Sequence, residues 1–219
     1  MYLSVQKSTK RRRKDRRITW IGMFLVLLVS FYALAWAGPA TDSLRMTLDR
    51  IIEVLNNPSL ISPDKKNERR EILHNLLKER FDGDEIARRA LGRHWGNRTD
   101  EQREEFIRLF NDLLERTYFE KIDTYLEKTK GFSGENITYL AEKVNERYTI
   151  VETTVLVDKE TEIPVHYLLR FKNDNWFVCD IAIEGVSIVK NYRVQFAEIL
   201  NRSSFEDLLA QLKNKEQQS

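Results

Sequence analysis

Asp180 is a carboxylate set inside an otherwise apolar run, Trp176 to Ile183, that reads as a strand. A buried acid of this kind could shuttle a proton in a pocket enzyme. It could equally pair with Arg193 or accept backbone hydrogen bonds, because buried charges are normally compensated. The three histidines, His74, His94 and His166, fall on separate elements without the clustered spacing of a metal site. Ser187, in Gly185-Val186-Ser187-Ile188-Val189, lacks the second glycine of a nucleophile elbow and suits a helix cap. Cys179 is the only cysteine, which excludes an internal disulfide and reads as a small buried strand residue. No glycine-rich phosphate loop occurs, so nothing here hydrolyses ATP. The sequence therefore assigns no catalytic residue, no metal and no cofactor, and an enzyme reading survives only through Asp180.

The elements that would position these residues follow from periodicity. Leu44, Leu48, Ile51, Ile52 and Leu55 share a helical face that Asp42 could cap and Asn57-Pro58 stops. Ser62-Pro63 opens a second helix with Ile72, Leu73, Leu76 and Leu77 as its stripe, and Ile86 to Leu91 makes a short third. Thr99 with Gln102 is a capping box that launches the longest helix, striped with Phe106, Leu109, Phe110, Leu113, Leu114 and Tyr118. Strands follow: Ile137 to Val144, Tyr148 to Val157, Thr161 to Lys172 with strict alternation, and the Trp176 run. After the Glu184-Gly185 turn, Ile188, Tyr192, Phe196, Ile199 and Leu200 mark a helix, and Ser204 with Asp207 caps a last one. The pattern predicts one α+β domain over 38–219, a curved antiparallel sheet of about four strands with helices packed on one face.

Charge is unevenly placed. Eight of the 36 basic residues lie between Lys7 and Arg17, before an uninterrupted apolar run from Ile18 to Ala37 that ends in Ala35-Trp36-Ala37. A basic segment, an apolar segment and a small-x-small site describe a secretory signal over 1–37, so the remainder is expected outside the cytoplasm. The run is also ~20 residues long with Trp20 and Trp36 at its ends, which suits an uncleaved anchor. Cleavage after Ala37 would leave 182 residues with 28 basic and 33 acidic, a net of −5. The basic cluster is thus an address, not a footprint for nucleic acid.

Two blocks, RRALGRHWGNRTDEQREEFIRLFNDLLERTY from Arg88 and WFVCDIAIEGVSIVKNYRVQF from Trp176 with FEDLLAQL from Phe205, carry a resemblance. They resemble the periplasmic phospholipid-binding shuttle of the Mla lipid-asymmetry transport system, also called the toluene-tolerance auxiliary component of an ABC transporter. The resemblance covers roughly Leu44 to Leu212 and implies a fold similar to the nuclear-transport-factor cone enclosing an apolar pocket. It implies a non-enzymatic periplasmic carrier in Gram-negative bacteria that maintains outer-membrane lipid asymmetry. Its expected partners are phospholipid, an outer-membrane lipoprotein–porin complex, and an inner-membrane ABC transporter with its membrane-anchored lipid-binding ring protein. The cargo is phospholipid, and no nucleic acid is involved.

On that footing the apolar stripes become candidate walls of a lipid pocket: Leu91, Trp95, Phe106, Phe110, Leu113 and Tyr118 from helices, and Val151, Val155, Val165, Tyr167, Leu169, Trp176 and Val178 from strands. Val186 in the EGVS match is expected near the acyl chains, and Arg103 in the TDEQR match at the pocket mouth or a partner surface. Glu162 stands where some relatives carry a basic residue before Pro-Val, so no cation is offered there. By base rates alone the stripes are ordinary core. A periplasmic adaptor or chaperone with a filled core, and a pocket enzyme using Asp180, are the rival readings.

Overall fold

Helices open and close the chain, and an antiparallel meander lies between them. The computed structural model describes residues 38–129, 136–145, 147–156 and 160–217; the export segment expected over 1–37 lies outside them. Helix α1 (Pro39–Asn56) starts at Gly38 with Pro39 in the first turn, where a missing N–H costs nothing. It thus begins ahead of Asp42, which sits in the first turn beside the positive helix end instead of capping it. Asn57 ends α1, and its side-chain oxygen accepts from the Ser59 N–H at 3.0 Å to cap α2 (Pro58–Ile61). A 3₁₀ turn, Pro63–Lys65, leads into α3 (Lys66–Arg80). The Ser62 hydroxyl turns to the Asp64 side chain and caps no backbone N–H.

Helix α4 (Gly83–Leu91) begins three residues before the expected Ile86, because the Asp82 carboxylate accepts from the Glu85 N–H and nucleates the turn. Thr99 and Gln102 form the reciprocal capping box at 3.1 and 3.3 Å. It launches α5 (Asp100–Thr129), 30 residues or ~45 Å at ~1.5 Å per residue. Ser187 caps α6 (Ile188–Arg202), accepting from Lys190 N–H at 2.9 Å, and Ser204 with Asp207 caps α7 (Phe205–Gln217).

The sheet runs in sequence order, β1 (Ile137–Asn145), β2 (Tyr148–Leu156), β3 (Glu162–Lys172), β4 (Asn175–Ile183) and β5 (Val186–Ser187), all antiparallel. Four strands were expected; the fifth is two residues long, formed because Glu184 and Gly185 both adopt left-handed φ of 51° and 79° and fold the chain back. In β4, Cys179 is an extra residue in the register, since Leu168 pairs with Asp180 and Leu169 with Val178.

Cross-strand partners point the same way, so the register sorts the sheet into two faces. One face carries Val151, Tyr167 and Ile181, and beside them Thr153, Val165, Ile183 and Val186. The other carries Ile150, Leu168 and Asp180, with Glu152, His166, Ala182 and Ser187. Helix α1 lays Ala40, Leu44 and Leu48 on the first face, in a cluster with Val151, Val155, Val165, Tyr167, Leu169 and Val178. Helices α4, α5, α6 and α7 form a separate apolar cluster around Phe106, Phe110, Phe196 and Phe205. A third, small cluster joins α1, α3 and the second half of α5 through Leu55, Leu73 and Phe119.

Buried charges tie these layers together. Asp123 on α5 receives Arg69 at 2.5 Å and Arg70 at 2.7 Å from α3. Burial works to raise its pKa, but the hydrogen bonds and charges of Arg69 and Arg70 outweigh it and hold the carboxyl below the usual carboxylate range. Glu85 on α4 is 4% exposed and accepts from Tyr148 Oη of β2 at 2.7 Å and Arg170 of β3 at 3.1 Å. Arg170 also reaches Asp82 at 2.7 Å. At the same corner the Asp82 N–H donates to the Val178 carbonyl at 3.0 Å, and Phe81 forms a parallel bridge with Val178.

Candidate functional site

The structure distributes the expected lipid-contacting residues between two of the apolar clusters. Leu91, Phe106, Phe110 and Leu113 are buried among helices, with Trp95 packed against them. There the rings face one another: Phe110 lies 5.1 Å from Tyr192 and 5.2 Å from Phe196, and Phe106 lies 5.5 Å from Phe196. Such edge-to-face packing is that of a filled core. Val151, Val155, Val165, Tyr167, Leu169 and Val178 sit together on the α1-facing side of the sheet, with Trp176 against them. Tyr118 is half-buried on α5; burial, with Tyr192 and the Asp180 charge nearby, pushes its hydroxyl up to about 12.

Val186 is 62% exposed at the tip of the β4–β5 hairpin, opposite Ile183, which is 40% exposed. The first face therefore runs from a covered centre at Val151 and Leu169 to an open apolar rim at Ile183 and Val186. Over the centre, α1 is fastened by Thr41, whose hydroxyl and N–H both donate to Glu142 of β1, and by Arg45 over the Tyr139 ring at 4.2 Å. Burial raises Tyr139 to about 12 and drives Tyr167 still higher. Arg103 folds onto its own loop. It donates to the Trp95 and Gly96 carbonyls and to Asp100, with its guanidinium over the Trp95 ring at 5.4 Å.

Asp180 is half-buried, and its two oxygens accept from Ser187 Oγ at 2.5 Å and Val189 N–H at 3.1 Å. It thereby stitches β4 to the start of α6. Arg193, one of its expected partners, instead donates Nε–H to the Arg89 carbonyl at 2.6 Å. Cys179 is fully buried, and burial with the negative charges of Asp82 and Glu85 pushes its thiol up to about 12. His74 meets Glu115 at 2.6 Å, His94 lies beside Arg93, and His166 lies on the second sheet face. Among the described residues no group of His, Cys, Asp and Glu is arranged to hold a metal.

Two open clefts flank the sheet. A cleft of about 810 Å³ lies at the β1–β2 and β3–β4 turns, where Phe171 is 56% exposed and its ring lies tilted against Trp176, centroids 5.2 Å apart. A cleft of about 340 Å³ lies between the sheet and helices α4 and α6. Ile150, Leu168 and Ala182 line it together with Arg89, Lys190, Arg193, His166, Asp180 and Ser187. Lys190 and Arg193 stand one turn apart on α6, a spacing the sequence displays. Arg89 joins them only through the packing of α4 on α6, which no local pattern announces.

The fold is similar to that of a phospholipid-binding protein from Ralstonia solanacearum, solved in complex with a phospholipid. The TM-score is 0.68 at 21% identity, covering 83% of this chain and 98% of that one. In sequence, the chain is 21% identical over 201 residues to the intermembrane phospholipid transport system binding protein MlaC of Haemophilus influenzae, covering 88% of this chain and 91% of the relative. The sequence model of the family described as "MlaC protein" matches residues 45–214, more than two thirds of the chain, and this protein belongs to that family.

Proposed function

We propose that this protein is a periplasmic phospholipid carrier whose acyl chains lie on the first sheet face beneath α1. The observation that carries this reading is the graded face itself. Val151, Val165, Tyr167, Leu169 and Val178 form a continuous apolar surface under a single helix, and it opens at the exposed Ile183–Val186 rim. Burying a methylene contributes ~0.8 kcal/mol, so two long tails are held without any charged contact, while the head group stays at the rim. The helical cluster around Phe106 and Phe110 then serves as the rigid back of the molecule.

Asp180 supports a carrier more than an enzyme, because both its oxygens are spent on Ser187 and Val189. The printed name of the Haemophilus relative, a transport-system binding protein, and the phospholipid bound by the Ralstonia protein agree with this reading. Export through residues 1–37 would deliver the carrier to the periplasm. There it would exchange lipid with an outer-membrane lipoprotein–porin complex and an inner-membrane ABC transporter bearing a lipid-binding ring, in support of outer-membrane asymmetry.

The test is organic extraction and mass spectrometry of the protein purified from a Gram-negative periplasm without detergent. Near-stoichiometric diacyl phospholipid is expected. An empty, folded protein would overturn the carrier and leave the adaptor reading in its place.

A further inference from the structure

The cleft between α4, α6 and the second sheet face gathers three basic side chains against a single lining carboxylate. Arg89, Lys190 and Arg193 converge on about 340 Å³ of open volume. Asp180 is the carboxylate among the lining residues; its oxygens accept from the neutral Ser187 Oγ–H and Val189 N–H, so its charge offsets one of the three and leaves the cleft net positive. Arg89 presents its guanidinium to the Tyr148 ring at 5.0 Å, and its Nε is buried without an acceptor. Among the described residues, neither Lys190 nor the outer nitrogens of Arg193 make an ion pair. Like charges held together cost free energy unless a counter-charge is supplied.

The chain goes to some length to keep them together. The Arg193 Nε–H is fixed on the Arg89 carbonyl at 2.6 Å. Its stem passes over Gly92, where a Cβ would come within 3.2 Å of Arg193 Cδ and where φ is +56°. A residue free of a side chain and tolerant of positive φ therefore stands where the arginine must cross.

We infer that this cleft binds a phosphate-ester oxyanion through Arg89, Lys190 and Arg193. Guanidinium forks suit phosphate oxygens in pairs, and a lysine adds a point charge. The cleft adjoins the β4–β5 hairpin, in which Ser187 lines it while the preceding residue, Val186, belongs to the opposite, apolar face. At a two-residue edge strand the two faces meet, so a lipid entering at Val186 can carry its phosphate round the edge to Lys190. In that form the inference rests on the carrier reading; a free phosphate would use the same chemistry without it.

The experiment follows the His166 ring resonances of the delipidated protein by NMR during titration with inorganic phosphate, then with glycerophosphoglycerol, and finally with phosphatidylglycerol vesicles. The wild type is compared with Lys190→Gln and with Lys190→Gln/Arg193→Gln. Saturable His166 shifts with the phosphodiester, weakened at least tenfold in both variants, are expected. Vesicle uptake falling in parallel assigns the site to a lipid head group. Binding of inorganic phosphate alone, with uptake unchanged, assigns it to free phosphate. Absence of any His166 shift, or equal titration in wild type and Lys190→Gln, overturns the site. Co-purified lipid in the same preparations reports separately on the carrier: lipid present without anion binding sinks only this inference, and anion binding without lipid sinks only the carrier.

Discussion

Thr41 and Glu142 stand 101 residues apart in the chain and are joined twice at one oxygen. Glu142 Oε2 accepts from the Thr41 N–H at 2.8 Å and from its hydroxyl at 2.7 Å. The pair pins the first turn of α1 to β1, over the apolar face proposed to hold the acyl chains. A hydrogen bond to a charged acceptor contributes about 1.5–3 kcal/mol. In Glu142→Gln, α1 lifts more readily, and lipid transfer to acceptor vesicles speeds up by roughly tenfold with unchanged stoichiometry. Transfer at the wild-type rate, followed with a fluorescent phospholipid, would remove α1 as the cover.

Val186→Glu sets a carboxylate at the apolar rim. Co-purified phospholipid should fall severalfold while the melting temperature stays put, because position 186 is exposed and contributes little to the core. Undiminished lipid in that variant would sink the placement of the rim.

Glu85, like Asp123, ties the stability of the fold to acid. Burial works to raise its pKa, but hydrogen bonds from Arg88 and Tyr148 and the charges of Arg88 and Arg170 win and lower it. A lowered folded pKa contributes stability above the unfolded carboxylate value, about 4.3, and that contribution is lost as pH falls through the folded value. The melting temperature should therefore drop on the acid side. Glu85→Gln should cost about 3 kcal/mol near neutrality and flatten that acid limb. Parallel acid limbs for wild type and variant would assign the pH dependence elsewhere.

Cys179 is fully buried with its thiol pushed up to about 12. At neutral pH it should resist iodoacetamide in the native protein and react at once in denaturant, since the thiolate is the reactive form. Stoichiometric labelling of native protein would mean that the β4 bulge opens far more often than its packing implies.

Much of this architecture can be read from the chain. The capping box at Thr99 and Gln102, the Ser187 and Ser204 caps, and the alternation through Val165, Tyr167 and Leu169 are local signals, and each appears where its pattern points. Helix starts at Gly38 and Gly83 differ by a few residues from expectation. There the start is set by Pro39 and by the Asp82 carboxylate rather than by the apolar stripe. Which stripe faces which could not be read: Phe106 and Val165 look alike in sequence, yet one meets rings from α6 and α7 and the other meets α1. The basic cleft was equally hidden, because Arg89 and Arg193 are 104 residues apart and meet only through tertiary packing.

The corner at Phe81 and Asp82 has a further consequence, for the fate of the sheet among other chains. Strand β4 lies next to the sheet's short end, and its outward backbone is occupied at its C-terminal end by β5, opposite Ala182 and Ile183, and near its middle by Phe81 and Asp82 at Val178. Little of β4 is left to template a foreign strand. The opposite margin, β1, is broken by an irregularity between Tyr139 and Ala141 and carries Glu142 and Lys143 beyond it. A sheet with a broad greasy face is thus denied the clean borders along which such sheets polymerise, so a copy with that face uncovered does not add itself to its neighbours through the edge strands.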